Sequence, residues 1–73
     1  MTSYKMKSSF AERLRELRTD AGLSQNQLAK HVGLTHTAIR LWEEKQRDPH
    51  LDFVIRLAKF FKVSVGYLAG VED

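Results

Sequence analysis

The stretch LTHTAIRLWE, residues 34–43, gathers the side chains of this chain best suited to recognising something. Ala38, Ile39 and Trp42 stand at i, i+1 and i+4, which is one side of a helix. His36, Thr37, Arg40 and Leu41 occupy the other side. A face built for solvation would be rich in Lys and Glu. This one offers an imidazole, a hydroxyl, a guanidinium and an aliphatic group, a set for hydrogen-bonded recognition with one apolar contact. It is not a catalytic set. Glu43, Glu44 and the other acids make no acid–base pair at a useful spacing. No Ser–His–Asp order, Gly-rich phosphate loop or metal signature accompanies them. Three His at scattered spacing and no Cys point away from metal. The expectation is a binding protein: no enzyme, no metal, no cofactor and no small-molecule ligand.

A recognition face must be mounted on something rigid, and the rest of the chain reads as that mount. Apolar spacing is helical almost throughout, and no segment alternates cleanly enough for a strand. Phe10, Leu14, Leu17 and Ala21 mark a first helix, opened by a capping box of Ser9 and Glu12 and ended by Gly22. Ser24 and Gln27 form a second capping box, and that helix buries Leu28, Ala29 and Val32 before Gly33. Thr35 caps the third helix. The polar loop EKQRDP leads through Pro49 to a fourth helix from about Leu51 to Phe61, with Leu51, Val54, Leu57, Ala58 and Phe61 inward. Ser64 starts a short fifth turn containing Tyr67 and Leu68. The fold class is all-α, a bundle of five short helices around one small core.

The link between the second and third helices has room for only a three- or four-residue turn, which sends the third helix off at a steep angle. Gly33 supplies the positive φ such a turn requires. Ala29, four residues earlier, is small where two helices cross closely. Ile39 and Trp42 pin the third helix inward, so its opposite face is left protruding.

Length and charge agree with a small binding module. Seventy-three residues make one domain near the lower limit for an unassisted core. Net charge is +3, which suits a polyanion partner without specifying one. The excess of bases lies in the first two thirds, with five bases against three acids in residues 1–21 and four against three in 22–50. No apolar run approaches the roughly 20 residues of a membrane span, and MTSYKMKSSF lacks a signal-peptide core. The expectation is no membrane association and a cytoplasmic, nucleoid-associated location.

With these elements in place, the chain resembles the helix-turn-helix proteins of the phage Cro and C1 repressor type. The resemblance covers about residues 10–70 and rests on features in register: Ser24-Gln25, Leu28-Ala29, Gly33, Ile39, Trp42-Glu43, Pro49 and Leu57-Ala58. The domain is expected over 9–70, with an N-terminal arm at 1–8 and a tail at 71–73. The family often has Gly where this chain has Lys45 and Lys62. A left-handed backbone at either costs roughly 1 kcal/mol, so either the loops differ here or that cost is tolerated.

The resemblance implies a lambda repressor-like domain binding double-stranded DNA as a transcriptional repressor, with the third helix in the major groove. His36, Thr37, Arg40 and Leu41 then fall at base-reading positions: His36 as donor to a guanine acceptor, Thr37 by hydroxyl or methyl, Leu41 against a thymine methyl, Arg40 to guanine or phosphate. Gln25, Thr35, Gln46 and Arg47 fall at phosphate-contacting positions, Gln25 beside a helix N-terminus that favours anions. Lys5 and Lys7 precede the first helix, and two readings stay open for them: a disordered arm, or added electrostatic attraction. Arg18 and Glu43 match a partly buried ion pair tying the first helix to the end of the third. A homodimer on an inverted repeat is expected, because one small module makes few base contacts. Phe53, Phe60, Tyr67 and Val71, apolar and surplus to the core stripe, are its interface candidates. The alternative is an antitoxin-type protein-interaction module on the same scaffold; a strongly acidic third helix would have favoured it.

Overall fold

The computed structural model describes residues 10–72. Ser9, Lys5, Lys7 and the arm at 1–8 lie outside the described residues, as does Asp73. Five helices run in order: α1 (Phe10–Asp20), α2 (Gln25–Val32), α3 (His36–Glu43), α4 (Leu51–Phe61) and α5 (Val65–Ala69). No strand occurs among the described residues. One core unites them, built from Leu14 of α1, Leu28, Ala29 and Val32 of α2, Ile39 and Trp42 of α3, Val54, Leu57 and Ala58 of α4, and Leu68 of α5. Burying the large aliphatic members stabilises by about 1.5–3 kcal/mol each.

The helix boundaries follow from local chemistry. At Ser24 the capping box is complete: the hydroxyl accepts from the Gln27 amide at 3.0 Å, and the Gln27 side chain accepts from the Ser24 N–H at 2.8 Å. Thr35 Oγ1 accepts from the Ala38 N–H at 3.1 Å. Between α2 and α3, Gly33 is left-handed at φ 71° and its N–H returns to the Ala29 carbonyl. A Cβ built at Gly33 would come no nearer than 3.9 Å to its nearest neighbour, on Arg56, so the turn needs glycine for its dihedral angle and not for space. Lys45 and Lys62 are both left-handed, at φ 62° and 60°. The loops therefore keep the geometry that glycine favours and carry the strain of a Cβ instead.

Four expectations about packing are corrected. Ala21 is exposed because α1 ends at Asp20 and the chain is already turning. Leu51 is 63% exposed. It continues the α4 stripe by spacing, but in the first turn of the helix, and the buried part of that stripe starts only at Val54. Phe53 is not surplus to the core: its ring lies 5.6 Å from Trp42 and 6.3 Å from His50, against the edge of the cluster. Tyr67 is covered by the Arg13 guanidinium, 4.2 Å above its ring.

Arg13 is a core member that apolar patterning overlooks. It is 5% exposed, and Nη1 donates to the carbonyls of Tyr67, at 2.8 Å, and of Glu72. A guanidinium there meets the carbonyl-rich end of α5, where a cation is favoured. Val71 and Glu72 fold back onto α5, each donating its N–H to the Gly66 carbonyl. The Glu72 side chain then lies over Gly66, 2.7 Å from where a Cβ would be, and hydrogen-bonds Ser64.

Candidate nucleic-acid interface

The outer face of α3 is presented much as its spacing implies. His36 and Thr37 are exposed, while Arg40 and Leu41 are half-buried at its edge. On the opposite side Ile39 is fully buried and Trp42 nearly so. Arg40 Nη1 is held by Glu44 one turn on, at 3.1 Å, an exposed pair that water competes with easily.

Beneath this face lies a polar network centred on Glu43. Arg18 approaches the carboxylate side-on, Nε at 2.6 Å from Oε2 and Nη2 at 2.9 Å from Oε1. Arg15 Nε stands 3.6 Å from Oε1, and its Nη2 donates to the Glu43 carbonyl at 3.2 Å. The Glu43 side chain has no exposed surface, and that of Arg18 only 13%. Burial pushes the Glu43 carboxyl up. Hydrogen bonds from Arg18 and Gln25, with the charges of Arg18 and Arg15, outweigh it and hold the group below its ordinary value. Arg18 also donates to the Leu23 carbonyl at 2.8 Å, tying the α1–α2 link to the same point.

Gln25, the first residue of α2, bridges this network to the exposed face. Nε2 donates to Glu43 Oε1 at 3.1 Å, and Oε1 lies 3.1 Å from His36 Nε2. A continuous chain Arg18–Glu43–Gln25–His36 thus links α1, α3 and α2, then returns to the start of α3. One of the two Gln25 amide hydrogens is used, and the other remains for a further acceptor.

The loop after α3 turns back beside the start of that helix. Arg47, Asp48, Pro49 and His50 line an open groove together with Gly33, Thr35, Ala38 and Trp42. Thr35 and Arg47 therefore share one rim. Gln46 is elsewhere, its amide donating to Glu44 at 3.3 Å. Of the apolar residues singled out by sequence, Phe60 is 37% exposed and stacks on His31 at 5.5 Å. Val71 is 58% exposed, and Phe53 and Tyr67 are half-buried, Phe53 against the edge of the core and Tyr67 beneath Arg13.

Sequence reasoning missed Arg13 and the Glu43–Gln25–His36 link. A signal for Arg13 existed: it stands at i+3 of the stripe Phe10, Leu14, Leu17, where an apolar residue is the norm. None existed for the link, whose members are 18 and 11 residues apart.

No helix of the described residues is long and apolar enough to cross a membrane, and no group of three or more His, Asp or Glu among them is placed to hold a metal ion.

Against known proteins, the family profile Helix-turn-helix matches residues 14–68. The chain is 36% identical over 64 residues to the HTH-type transcriptional activator BcrR of Enterococcus faecalis, covering 88% of this chain and 31% of that protein. Its fold superimposes on the P22 c2 repressor, solved in complex with a synthetic operator, with a TM-score of 0.81 and 29% identity, over 90% of this chain and all of that one. It also superimposes on the restriction-modification controller protein C.AhdI of Aeromonas hydrophila, with a TM-score of 0.74 and 39% identity, over 81% and 86% of the two chains. The chain spans 31–57% of the length of the curated relatives it matches.

Proposed function

The chain belongs to the helix-turn-helix family of the Cro and C1 repressor type, and on that premise we propose that it binds double-stranded DNA sequence-specifically and represses transcription as a homodimer on an inverted repeat. The observation that supports this best is the mounting of α3. The left-handed turn at Gly33, the Thr35 cap, the buried Ile39 and Trp42, and the Glu43 network hold one protruding helix at a fixed angle. Such rigidity has no use in a solvated surface helix. It is what reading base edges at hydrogen-bond distance requires.

In this reading α3 enters the major groove with its N-terminal half against the bases. His36, Thr37 and Leu41 make base contacts, and Arg40 reaches a base or a phosphate on release from Glu44. Gln25 gives its second amide hydrogen to a phosphate beside the free N–H groups opening α2. Thr35 and Arg47, on one rim, and Gln46 contact the backbone of the duplex. The net positive charge draws the protein to DNA of any sequence, and the α3 face chooses among sequences. Two copies would place both third helices on one side of the duplex, about 34 Å apart. Of the four interface candidates, Phe60 and Val71 are exposed and Phe53 and Tyr67 half-buried, so Phe60 and Val71 are the first choice to join them. The five-helix domain by itself has little surface for a large interface, so its own association in solution is weak and strengthens on DNA.

Selection of bound sites from random duplex DNA tests the reading. His36→Ala or Thr37→Ala changes which bases are preferred and costs about 1–3 kcal/mol on the best site. An unchanged motif in both variants defeats the placement of α3, and a motif with a single half-site defeats the dimer.

A further inference from the structure

We propose that the buried Glu43 carboxylate, acting through Gln25, fixes which polarity His36 shows to DNA, so that the neutral ring reads an amino-bearing base, adenine or cytosine, and the protonated ring reads guanine. This rests on α3 as the reading helix and adds the base class to it.

The steps are dictated by donors and acceptors. Glu43, ionised and buried beside Arg18, can only accept hydrogen bonds. The Gln25 amide 3.1 Å away must turn its NH2 toward it, because the reverse orientation would set two oxygens with lone pairs against each other. The Gln25 carbonyl oxygen is then the atom 3.1 Å from His36 Nε2. An amide oxygen only accepts, so Nε2 must carry a hydrogen. In a neutral imidazole that leaves Nδ1 without one, an acceptor. It pairs with adenine N6 or cytosine N4 in the major groove and is repelled by guanine N7 and O6. Protonation puts a hydrogen on Nδ1 without disturbing the Gln25 bond, since Nε2 is a donor in both states. Only the outward polarity inverts, and the preferred base becomes guanine.

The charged groups around His36 are few. From α2 it meets Gln25, which is neutral. Behind Gln25 lie Glu43 and the two arginines of α1, Arg15 and Arg18, one negative charge against two positive ones. On its own helix Arg40 is one turn away and paired with Glu44. Acidification is therefore the perturbation that tests the inversion.

Site selection from random duplex DNA at pH 8.5 and pH 5.5 tests this on the intact chain. At pH 8.5 one position of each half-site takes adenine or cytosine, preferred about three- to tenfold over guanine, the worth of one neutral hydrogen bond. At pH 5.5 that position alone turns to guanine. His36→Ala erases the preference there at both pH values and leaves the other positions intact. In Gln25→Ala the ring is free to use either tautomer, and the position accepts guanine at pH 8.5 as well. A His36-dependent guanine at pH 8.5 in the unmodified chain overturns the proposal while leaving α3 as the reading helix. If His36→Ala alters no position at either pH, the placement of α3 fails with it. Nitrogen-15 ring spectra at pH 8.5, without DNA, read the chain of bonds directly. The proton is expected on Nε2 in the unmodified chain and on both nitrogens in exchange in Gln25→Ala. A proton on Nδ1 in the unmodified chain overturns the proposal whatever the DNA result.

Discussion

Replacing Glu43 by Gln keeps its size and removes its charge, which makes it a direct probe of the network under α3. The carboxylate takes two hydrogen bonds from Arg18, at 2.6 and 2.9 Å, and one from Gln25 at 3.1 Å. Losing one partner of a buried ion pair costs about 3–5 kcal/mol, against about 0–1 for a surface pair. Arg18 keeps slight contact with water, which puts the expected loss for Glu43→Gln near the lower end, about 3 kcal/mol. A domain of this length has roughly 4–11 kcal/mol in total. The variant is therefore expected to fold but to melt roughly 10–25 °C lower. The pH dependence separates charge from packing. The Glu43 carboxyl is held below its unfolded value, so the folded state binds fewer protons at this site than the unfolded chain does. Its contribution is complete above the ordinary carboxylate pKa of about 4.3 and is lost as pH falls through the lower folded value. Urea unfolding at a series of pH values should show the two proteins far apart at pH 7 and converging below about pH 4. Curves that stay parallel down to pH 3 would refute the reasoning. So would strict additivity of Arg18→Ala and Glu43→Ala in the double mutant, which would mean that the two side chains do not interact. Arg15→Ala is the internal control: that side chain is 57% exposed, and its loss should cost less than about 1 kcal/mol.

Lys62→Gly should raise stability, because it relieves a left-handed residue bearing a Cβ at about 1–2 kcal/mol and returns part of that as added freedom of the unfolded chain. A net gain of about 0.5–1 kcal/mol, a few degrees in melting temperature, is expected, and no gain would show the loop to be unstrained. DNA binding should weaken steeply with salt: Arg47 and Arg40 of each subunit make about four charged phosphate contacts per dimer and give a log–log slope near −4, and a slope near zero would count against DNA as the partner. Phe60→Glu should leave the monomer folded, by circular dichroism, while abolishing cooperative filling of two half-sites; intact cooperativity would remove Phe60 from the interface.

Elements whose cause is local were legible in the sequence. The Ser24 and Thr35 caps, the Gly33 turn and the stripe Leu28, Ala29, Val32 each depend on residues within a few positions of one another. Stripes failed at helix ends. Leu51 keeps the period of α4 and Ala21 that of α1, but periodicity says which way a side chain points and not whether anything lies opposite. Phe53 failed for the complementary reason: a residue off the main stripe is still inside when Trp42 is wide enough to meet it. Tyr67 is covered by a charged residue, Arg13, which apolar patterning counts as surface by default.

The Glu43 network was legible only as the pair Arg18–Glu43, and only through resemblance, because its bonds through Gln25 join residues brought together by the crossing of α2 and α3. That crossing makes one carboxylate serve two ends. Its bond to Arg18 fastens α3 to α1 and belongs to stability. Its bond to Gln25 sets an amide orientation and, on the reading above, belongs to specificity. The two are separable, because Arg18→Met removes the cation and leaves Glu43 as an acceptor, with Arg15 beside it and Gln25 still facing it. Such a variant should lose stability yet select the same bases at pH 8.5, whereas Gln25→Ala should keep most of its stability and lose the discrimination. Should Arg18→Met instead relax the base preference while the protein remains folded, the ion pair itself, and not the acceptor it leaves behind, would be what orients the reading face.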